Sequence, residues 1–397
     1  MHPQQVEIIN GRLITPGGIK PQGRIRIVNG KIAELTGPES VPEDSYIIDA
    51  RGRYVSPGFI DIHVHGGGGY DFMDGVETAF LQIANTHVRY GTTSMLPTTL
   101  SGSHEDLLAT LNAYDAAYKK NDSGSEFLGM HLEGPYFAMN QRGAQDPKYI
   151  RNPDPKEYQE ILNRFPFIKR WSVAPELPGA FEMGRCLHAR KILASIAHTD
   201  AIYEEVVEAM ASGYSLATHL YSAMSGVTRR KAMRFAGVIE SAFLIDELDV
   251  EIIADGVHLP APLLKLVYKI KGPERTALIT DAMRAAAMPP GEYILGHYKT
   301  GLKVIIEDEV AKLPDRSSFA GSISTSDRLV RTMINLAGVP LMDAIKMITA
   351  TPARILGLSE TKGTLQPGGD ADIVIFDDDI NVQLSMVHGR VVYQKGN

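Results

Sequence analysis

The sequence predicts an α/β fold, a TIM (β/α)8 barrel carrying a small β-sandwich-like domain formed by both chain ends. Three observations predict it. Residues 57–359 alternate apolar strand patterns with helical ones, and eight strand candidates can be found among them. Residues 1–56 and 360–397 are instead short alternating runs punctuated by turns. Each of the eight middle strands ends in polar or glycine residues. Strands alternating with helices imply parallel strands joined by crossovers, and eight of them favour a closed barrel over an open doubly wound sheet.

In chain order, Val6 to Ile9, Leu13-Ile14, Arg24 to Val28, Lys31 to Leu35, Tyr46 to Asp49 and Tyr54-Val55 read as strands. Asn10-Gly11 and Asn29-Gly30 stand between such runs and mark hairpins of an antiparallel unit. Barrel strands are expected at Phe59 to His65, Thr93 to Pro97, Phe127 to Glu133, Arg170 to Pro175, Ile192 to His198, Ser215 to His219, Val250 to Asp255 and Ala277 to Asp281. Helical periodicity covers Gly75 to Tyr90, His104 to Lys119, Pro155 to Asn163, Ala201 to Ala211, Ala261 to Lys269, Ser326 to Leu336 and Leu341 to Thr349. The C-terminus returns to strand character at Ala371 to Phe376, Val382 to Met386 and Val391 to Tyr393. Both ends therefore pair into one domain, and the barrel leaves it and returns to it at nearby points.

Composition narrows the function classes. The 397 residues are 44% hydrophobic and 22% charged with a net charge of −7, and no Lys/Arg cluster is interleaved with aromatics. Nucleic acid and membrane surfaces are therefore not expected partners. Cys186 is the single cysteine, which rules out an internal disulfide and leaves histidine and carboxylate as the available metal ligands. No basic leader precedes an apolar run, and no apolar stretch reaches the roughly 18 residues of a membrane span. A cytoplasmic protein is expected.

In a TIM barrel, chemistry sits at the C-terminal ends of the strands. Gly-Phe-Ile-Asp-Ile-His-Val-His-Gly at 58–66 alternates with strand period, so His63 and His65 share one face, and the glycines from Gly66 to Gly69 leave that face open. Strand three ends in His131 and Glu133, strand five in His198, strand six in His219, strand seven in Asp255 with His258 beyond, and strand eight in Asp281. A set of histidines and carboxylates without thiolate suits one or two divalent ions, zinc first, with iron, manganese or cobalt as alternatives. His63 and His65 can hold one ion and His198 and His219 another, with Glu133 on one or bridging both. Such an ion activates water and polarises a carbonyl, which is hydrolytic chemistry, and Asp281 on the last strand is placed for the proton transfers. Outside this pattern, His87 reads as a packing or capping residue of a helix.

These segments resemble the amidohydrolase superfamily: Pro-Gly-Phe-Ile-Asp-Ile-His-Val-His-Gly from Pro57, with Asp281 on strand eight. Within it, the blocks Gly129 to Pro135, Ala197 to Ala201, Ala217 to Met224, Ile253 to His258 and Ile279 to Met283 are similar, in order, to the N-acetylglucosamine-6-phosphate deacetylase family. That resemblance implies deacetylation of a phosphorylated amino sugar, Glu133, His198 and His219 as metal ligands, and Asp281 as acid and base. His63 and His65 place the chain with members able to hold two ions. The same resemblance implies phosphate contacts from the backbone of Ser222 and Ala223 and from Arg229 or Arg230, the arginine reaching across a homodimer. It assigns His258 to the sugar, Gln145 to the place where some members carry a histidine near the amide carbonyl, and Ser322 to a loop near the acyl group. Ser222 stands where the family usually has asparagine. Two other readings compete, another amidohydrolase such as an N-acyl-amino-acid deacylase or cyclic amidase, and a metal-stabilised scaffold without turnover.

Overall fold

The computed structural model describes residues 5–37 and 45–396. Strands from both chain ends share one eight-stranded sheet. Gln5–Thr15 pairs antiparallel with Gly18–Val28, and that strand with Lys31–Thr36. From the other end of the chain, Ile373–Phe376 lies antiparallel between Tyr54–Pro57 and Val382–Val387, which pairs with Arg390–Gln394. Alternate residues of one strand serve two cores. Ile373 and Ile375 join Ile8, Leu13, Ile25 and Val55, whereas Val374 and Phe376 pack with Phe59 in the main core.

Two expectations for this region are corrected. Asn29-Gly30 does form a hairpin, with φ of 51° and 77° that match the mirror-image turns of tight hairpins. Asn10-Gly11 does not; it lies within the strand Gln5–Thr15 as an irregularity of pairing, and the chain turns at Pro16-Gly17 instead. A Cβ on Gly11 would stand 2.5 Å from a Val55 methyl, so this glycine serves close packing rather than a turn. The unit is also mixed rather than antiparallel, because Tyr46–Asp49 and Tyr54–Pro57 run parallel to the first strand.

Eight parallel strands follow in the middle of the chain: Phe59–Val64, Thr92–Pro97, Met130–Glu133, Ile168–Val173, Leu193–Ile196, Tyr214–Ala217, Asp249–Ile252 and Thr276–Leu278. The third to the eighth form one six-stranded parallel sheet in sequence order. The first two form another, with the short Glu126–Phe127 beside the second. Backbone contacts connect the two sheets on both edges. Thr98 bridges His131 in parallel. Across the other gap the Asp281 amide donates to the His63 carbonyl at 2.9 Å, and the His65 amide to the Ala282 carbonyl at 2.8 Å. Asp61 strengthens that seam by accepting from the Thr280 hydroxyl at 2.5 Å.

The helices agree with the 3.6-residue pattern within a turn at most ends, for example His104–Tyr118 capped by the Ser103 hydroxyl on the Asp106 amide. Helix Ala261–Arg275 runs past the expected Lys269 across a break at Gly272-Pro273. Ala180–Ala189 and Val238–Leu244 are helices the sequence reading passed over, as are the hairpin Thr228–Arg230 with Met233–Phe235 and a three-stranded meander, Glu292–Leu295, Leu302–Glu307 and Val310–Lys312.

A buried charge cluster fastens the C-terminal segment to the strands. The Lys362 ammonium donates to Asp372 at 2.5 Å and to Glu126 at 2.6 Å, while His388 lies 3.0 Å from Glu126. Lys362→Met strands the carboxylates that surround it, so it is expected to lower unfolding free energy by about 3–5 kcal/mol in urea denaturation. The hydrogen bond to Glu126 raises the His388 pKa against the opposing effect of burial. Because the folded value exceeds the unfolded one, the His388 contribution is complete below about pH 6.5 and is lost as pH rises through the folded value. The Tm gap between wild type and His388→Gln should accordingly narrow between pH 6 and higher pH.

Candidate active site

The site is built at the C-terminal ends of the parallel strands. His63 lies within the first strand and His65 just past it, so the period of two aims both at the interior. Glu133 is the last residue of the third strand. His198, His219 and Asp281 stand just beyond the fifth, sixth and eighth strands rather than within them, with φ of 46°, 31° and 46°. Left-handed backbone at three non-glycine residues costs energy and is retained where it aims a side chain.

Imidazole nitrogens converge on Glu133. Its Oε1 lies 3.1 Å from His219 Nε2 and 3.4 Å from both His63 Nε2 and His198 Nε2, and its Oε2 lies 3.4 Å from His65 Nε2. Asp281 Oδ1 approaches the opposite side, 3.1 Å from His65 Nε2 and 3.5 Å from His63 Nε2. Two groups of candidate ligands result, His63–His65–Glu133 and Glu133–His198–His219, the ligand atoms of each lying within 4.8 Å of one another. All five residues are buried.

The far nitrogens explain the orientation. His65 Nδ1 donates to the Thr98 carbonyl at 3.3 Å, and His198 Nδ1 to the Gln141 carbonyl at 2.7 Å. Each bond fixes the proton on Nδ1 and leaves the Nε2 lone pair facing inward. His63 Nε2 lies only 3.2 Å from that lone pair of His65. Such a contact is repulsive unless positive charge, either a proton or a metal ion, sits between the nitrogens.

Electrostatics points the same way. Burial opposes ionisation of Glu133, but the charge on His63, with the imidazoles of His198 and His219 close by, holds its carboxyl well below the usual range. Asp281 is also held low, against burial, chiefly by the charge on His63. In return these carboxylates overcome the burial of His63 and push its pKa up to about 10. His219 is pulled down by burial. A divalent cation offers the two carboxylates the same compensation and displaces the proton, so the residues present fit a metal ion.

Several contributors escaped the sequence reading. Arg170 and Glu251 form a fully buried bidentate pair inside the parallel sheet, and Glu251 Oε2 lies 3.6 Å from His63 Nδ1. His63 Nδ1 has no hydrogen-bond partner among the described residues, which makes this carboxylate its nearest charged neighbour. A charged residue inside each apolar strand pattern was the available signal. His131 belongs to neither ligand group and bonds Ser172 and Thr98 instead. His87 is more than helix packing, because its Nε2 donates to the Gly66 carbonyl at 2.8 Å and pins the glycine run.

A cavity of about 720 Å³ opens above the cluster, with His65, Glu133, His198, His219 and Asp281 on its wall. Of the expected substrate residues, Gln145, Ser222, Ala223 and His258 line it too. Asp255 orients His258 by accepting from Nδ1 at 2.7 Å. Gln145 is committed to the ligands, donating to Glu133 Oε2 at 2.9 Å while its carbonyl accepts from the Ser101 amide. The Ser222 amide, expected to meet the phosphate, already donates to the His219 carbonyl at 2.9 Å. Ser322 is fully buried with its hydroxyl on the Thr280 carbonyl, and Gly321 lines the wall in its place. Arg229 and Arg230 are exposed on the hairpin Thr228–Phe235, away from the cavity of their own chain.

Parallel strands whose C-terminal ends present two groups of histidine and carboxylate ligands beneath an open cavity define a metal-binding enzyme of the α/β class. The amidohydrolase family model matches residues 54–392. The chain belongs to that metal-dependent family. It is 32% identical to an N-acetylglucosamine-6-phosphate deacetylase of Lysinibacillus sphaericus, over 98% of each chain. It is also 32% identical to an N-acetylgalactosamine-6-phosphate deacetylase of Escherichia coli O157:H7, over 96% of this chain and 97% of that one. Among solved structures, an N-acetyl-D-glucosamine-6-phosphate deacetylase mutant of Mycobacterium smegmatis, in complex with N-acetyl-D-glucosamine-6-phosphate, superposes with a TM-score of 0.89 at 28% identity, covering 98% of this chain and all of that one.

Glu133 belongs to both ligand groups, so Glu133→Ala is expected to abolish metal binding at each. The His63→Ala, His65→Ala double variant should keep the Glu133–His198–His219 group and lose only part of the bound metal. Metal content per chain after reconstitution and dialysis checks both outcomes.

Proposed function

We propose that the protein hydrolyses the acetamido group of N-acetylglucosamine 6-phosphate, giving acetate and glucosamine 6-phosphate. One observation carries the reading: Asp281 stands within 3.1–3.5 Å of the His63 and His65 nitrogens, ionised, beside the two ligand groups on the cavity wall. Full-length likeness to deacetylases of phosphorylated amino sugars supplies the substrate class. Zinc suits the donor set first, with iron, manganese or cobalt as alternatives, and the geometry supports two ions, one on His63, His65 and Glu133 and one on Glu133, His198 and His219. When bound there, a divalent ion supplies Lewis acidity, lowering the pKa of water and polarising the amide carbonyl.

The residues of the chain do the rest. Asp281, held ionised, accepts the proton of the attacking water and returns it to the nitrogen as the C–N bond breaks. Gln145 and the far-side bonds of His65 and His198 keep the ligands aimed. His258, set by Asp255, and the Ala223 backbone position the sugar phosphate. Arg229 or Arg230 completes the phosphate site from a second subunit of a homodimer, a reading supported by exposed Val227 and Met233 on the same hairpin. The seam contacts between the first and eighth strands support a closed (β/α)8 barrel over residues 57–359, with residues 1–56 and 360–397 as a separate β domain. The lone cysteine favours a cytoplasmic setting.

Purified protein should release acetate from N-acetylglucosamine 6-phosphate, lose the activity to a chelator and regain it with added metal. No release under any metal would refute the assignment. Asp281→Asn is expected to lower kcat by about 10²–10⁴-fold while retaining metal. The galactosamine relative gives a second reading, an N-acetylgalactosamine 6-phosphate preference, which comparison of kcat/KM on the two sugars decides.

A further inference from the structure

We infer that Glu251, held by Arg170 inside the parallel sheet, is the positioning residue of His63: it accepts from Nδ1 and so keeps Nε2 turned towards the ligand group His63–His65–Glu133. The inference rests on the two-ion reading of the site and gives a part in it to a carboxylate that does not line the cavity.

An imidazole that offers Nε2 to a cation carries its proton on Nδ1, and a buried N–H needs an acceptor. His65 and His198 have theirs in the carbonyls of Thr98 and Gln141. His63 is fully buried, and its Nδ1 has no hydrogen-bond partner among the described residues. Glu251 Oε2 faces that atom at 3.6 Å, about half an ångström beyond a hydrogen bond. His219 Nδ1 is unpartnered too, but among the described residues no carboxylate pairs with it.

Glu251 is fixed in place by its partner. Arg170 donates through all five of its N–H groups: Nε to Ser195 Oγ at 3.1 Å, Nη1 to the Ile62 carbonyl at 3.1 Å and to Glu251 Oε1, and Nη2 to Thr218 Oγ1 at 2.9 Å and Glu251 Oε2 at 2.8 Å. These partners stand in or just past the first, fifth, sixth and seventh strands, so the guanidinium cannot swing aside. Its planar fork sets the plane of the carboxylate. Oε2 uses one lone pair on Arg170 and keeps the other for His63 Nδ1. The Ile62 carbonyl adjoins His63 in the chain, so the same arginine also holds the backbone from which the imidazole projects. A small turn of the His63 ring closes the remaining gap. Glu251 faces Nδ1 and Glu133 faces Nε2, so Glu251 is no ligand itself.

The test loads the full chain with zinc, dialyses it against rising chelator and measures the zinc retained per chain. Wild type is compared with Glu251→Gln and with an Arg170→Met, Glu251→Leu double variant, which removes both charges together, a change that buried pairs often tolerate. The ion of the His63–His65–Glu133 group is the release step absent from the His63→Ala, His65→Ala variant. In both Glu251 variants that step should come at about 10–100-fold higher free zinc, while the ion on Glu133, His198 and His219 leaves at its wild-type value. Added to His63→Ala, His65→Ala, the Glu251→Gln change should have no effect on the ion that remains. Unchanged release of both ions, or an equal shift of both as a purely structural pair predicts, would overturn the inference and leave the two-ion reading standing. A wild type that holds one ion, indifferent to His63→Ala, His65→Ala, removes that reading and the inference together. If Glu251→Gln does not fold, the double variant carries the comparison.

Discussion

Glu133 is a carboxylate taken out of water, and the arrangement around it follows from the cost of leaving such a charge uncompensated. Four imidazoles point their Nε2 atoms at its two oxygens, and Gln145 donates to one of them. Two of them, His65 and His198, are aimed inward by their Nδ1 atoms, which are engaged on the carbonyls of Thr98 and Gln141. Compensation by a proton on His63 and compensation by a metal ion are alternatives, which is why a protein with this core binds divalent metal. The buried Arg170–Glu251 pair beneath His63 extends the network into the parallel sheet, where it stands in for apolar packing.

The same constraint shapes the backbone. The first and eighth strands are joined by the Asp281 and His65 amides, so the seam of the structure runs through the site. Asp61, which burial pushes up to about 6, lies just below it and is steadied by Thr280. Three site residues adopt left-handed backbone directly after their strands, and that strain is tolerated because the parallel strands on either side hold the ends rigidly. Stability is thus given up locally for aim.

Charge is distributed unevenly across the cavity. Its floor carries Glu133 and Asp281, while a turn on the wall carries Lys312 and Arg316. Gln145, on the wall yet bonded to Glu133, supports the ligands where a histidine would add charge, which suits a chain that keeps both His63 and His65.

Local sequence determined what depends on short-range periodicity. The alternation around His63 and His65, the eight strand patterns and the positions of Glu133, His198, His219 and Asp281 at strand ends were all legible, because a period of two or 3.6 is written in consecutive residues. The family resemblance was legible for the same reason, being carried by contiguous blocks. What the tertiary structure decided depends on meetings between distant residues. Asn10-Gly11 reads as a turn yet is pressed into a strand by Val55, and Ser322 and the Ser222 amide are drawn away from the cavity by the carbonyls of Thr280 and His219. The meander between the eighth strand and helix Ser326–Asn335 brings Lys312 and Arg316 to a wall that no local pattern ties to His65. Pairing of Arg170 with Glu251, 81 residues apart, likewise joins two strands with two others between them in the sheet, since burial selects charge partners by distance through the fold rather than along the chain.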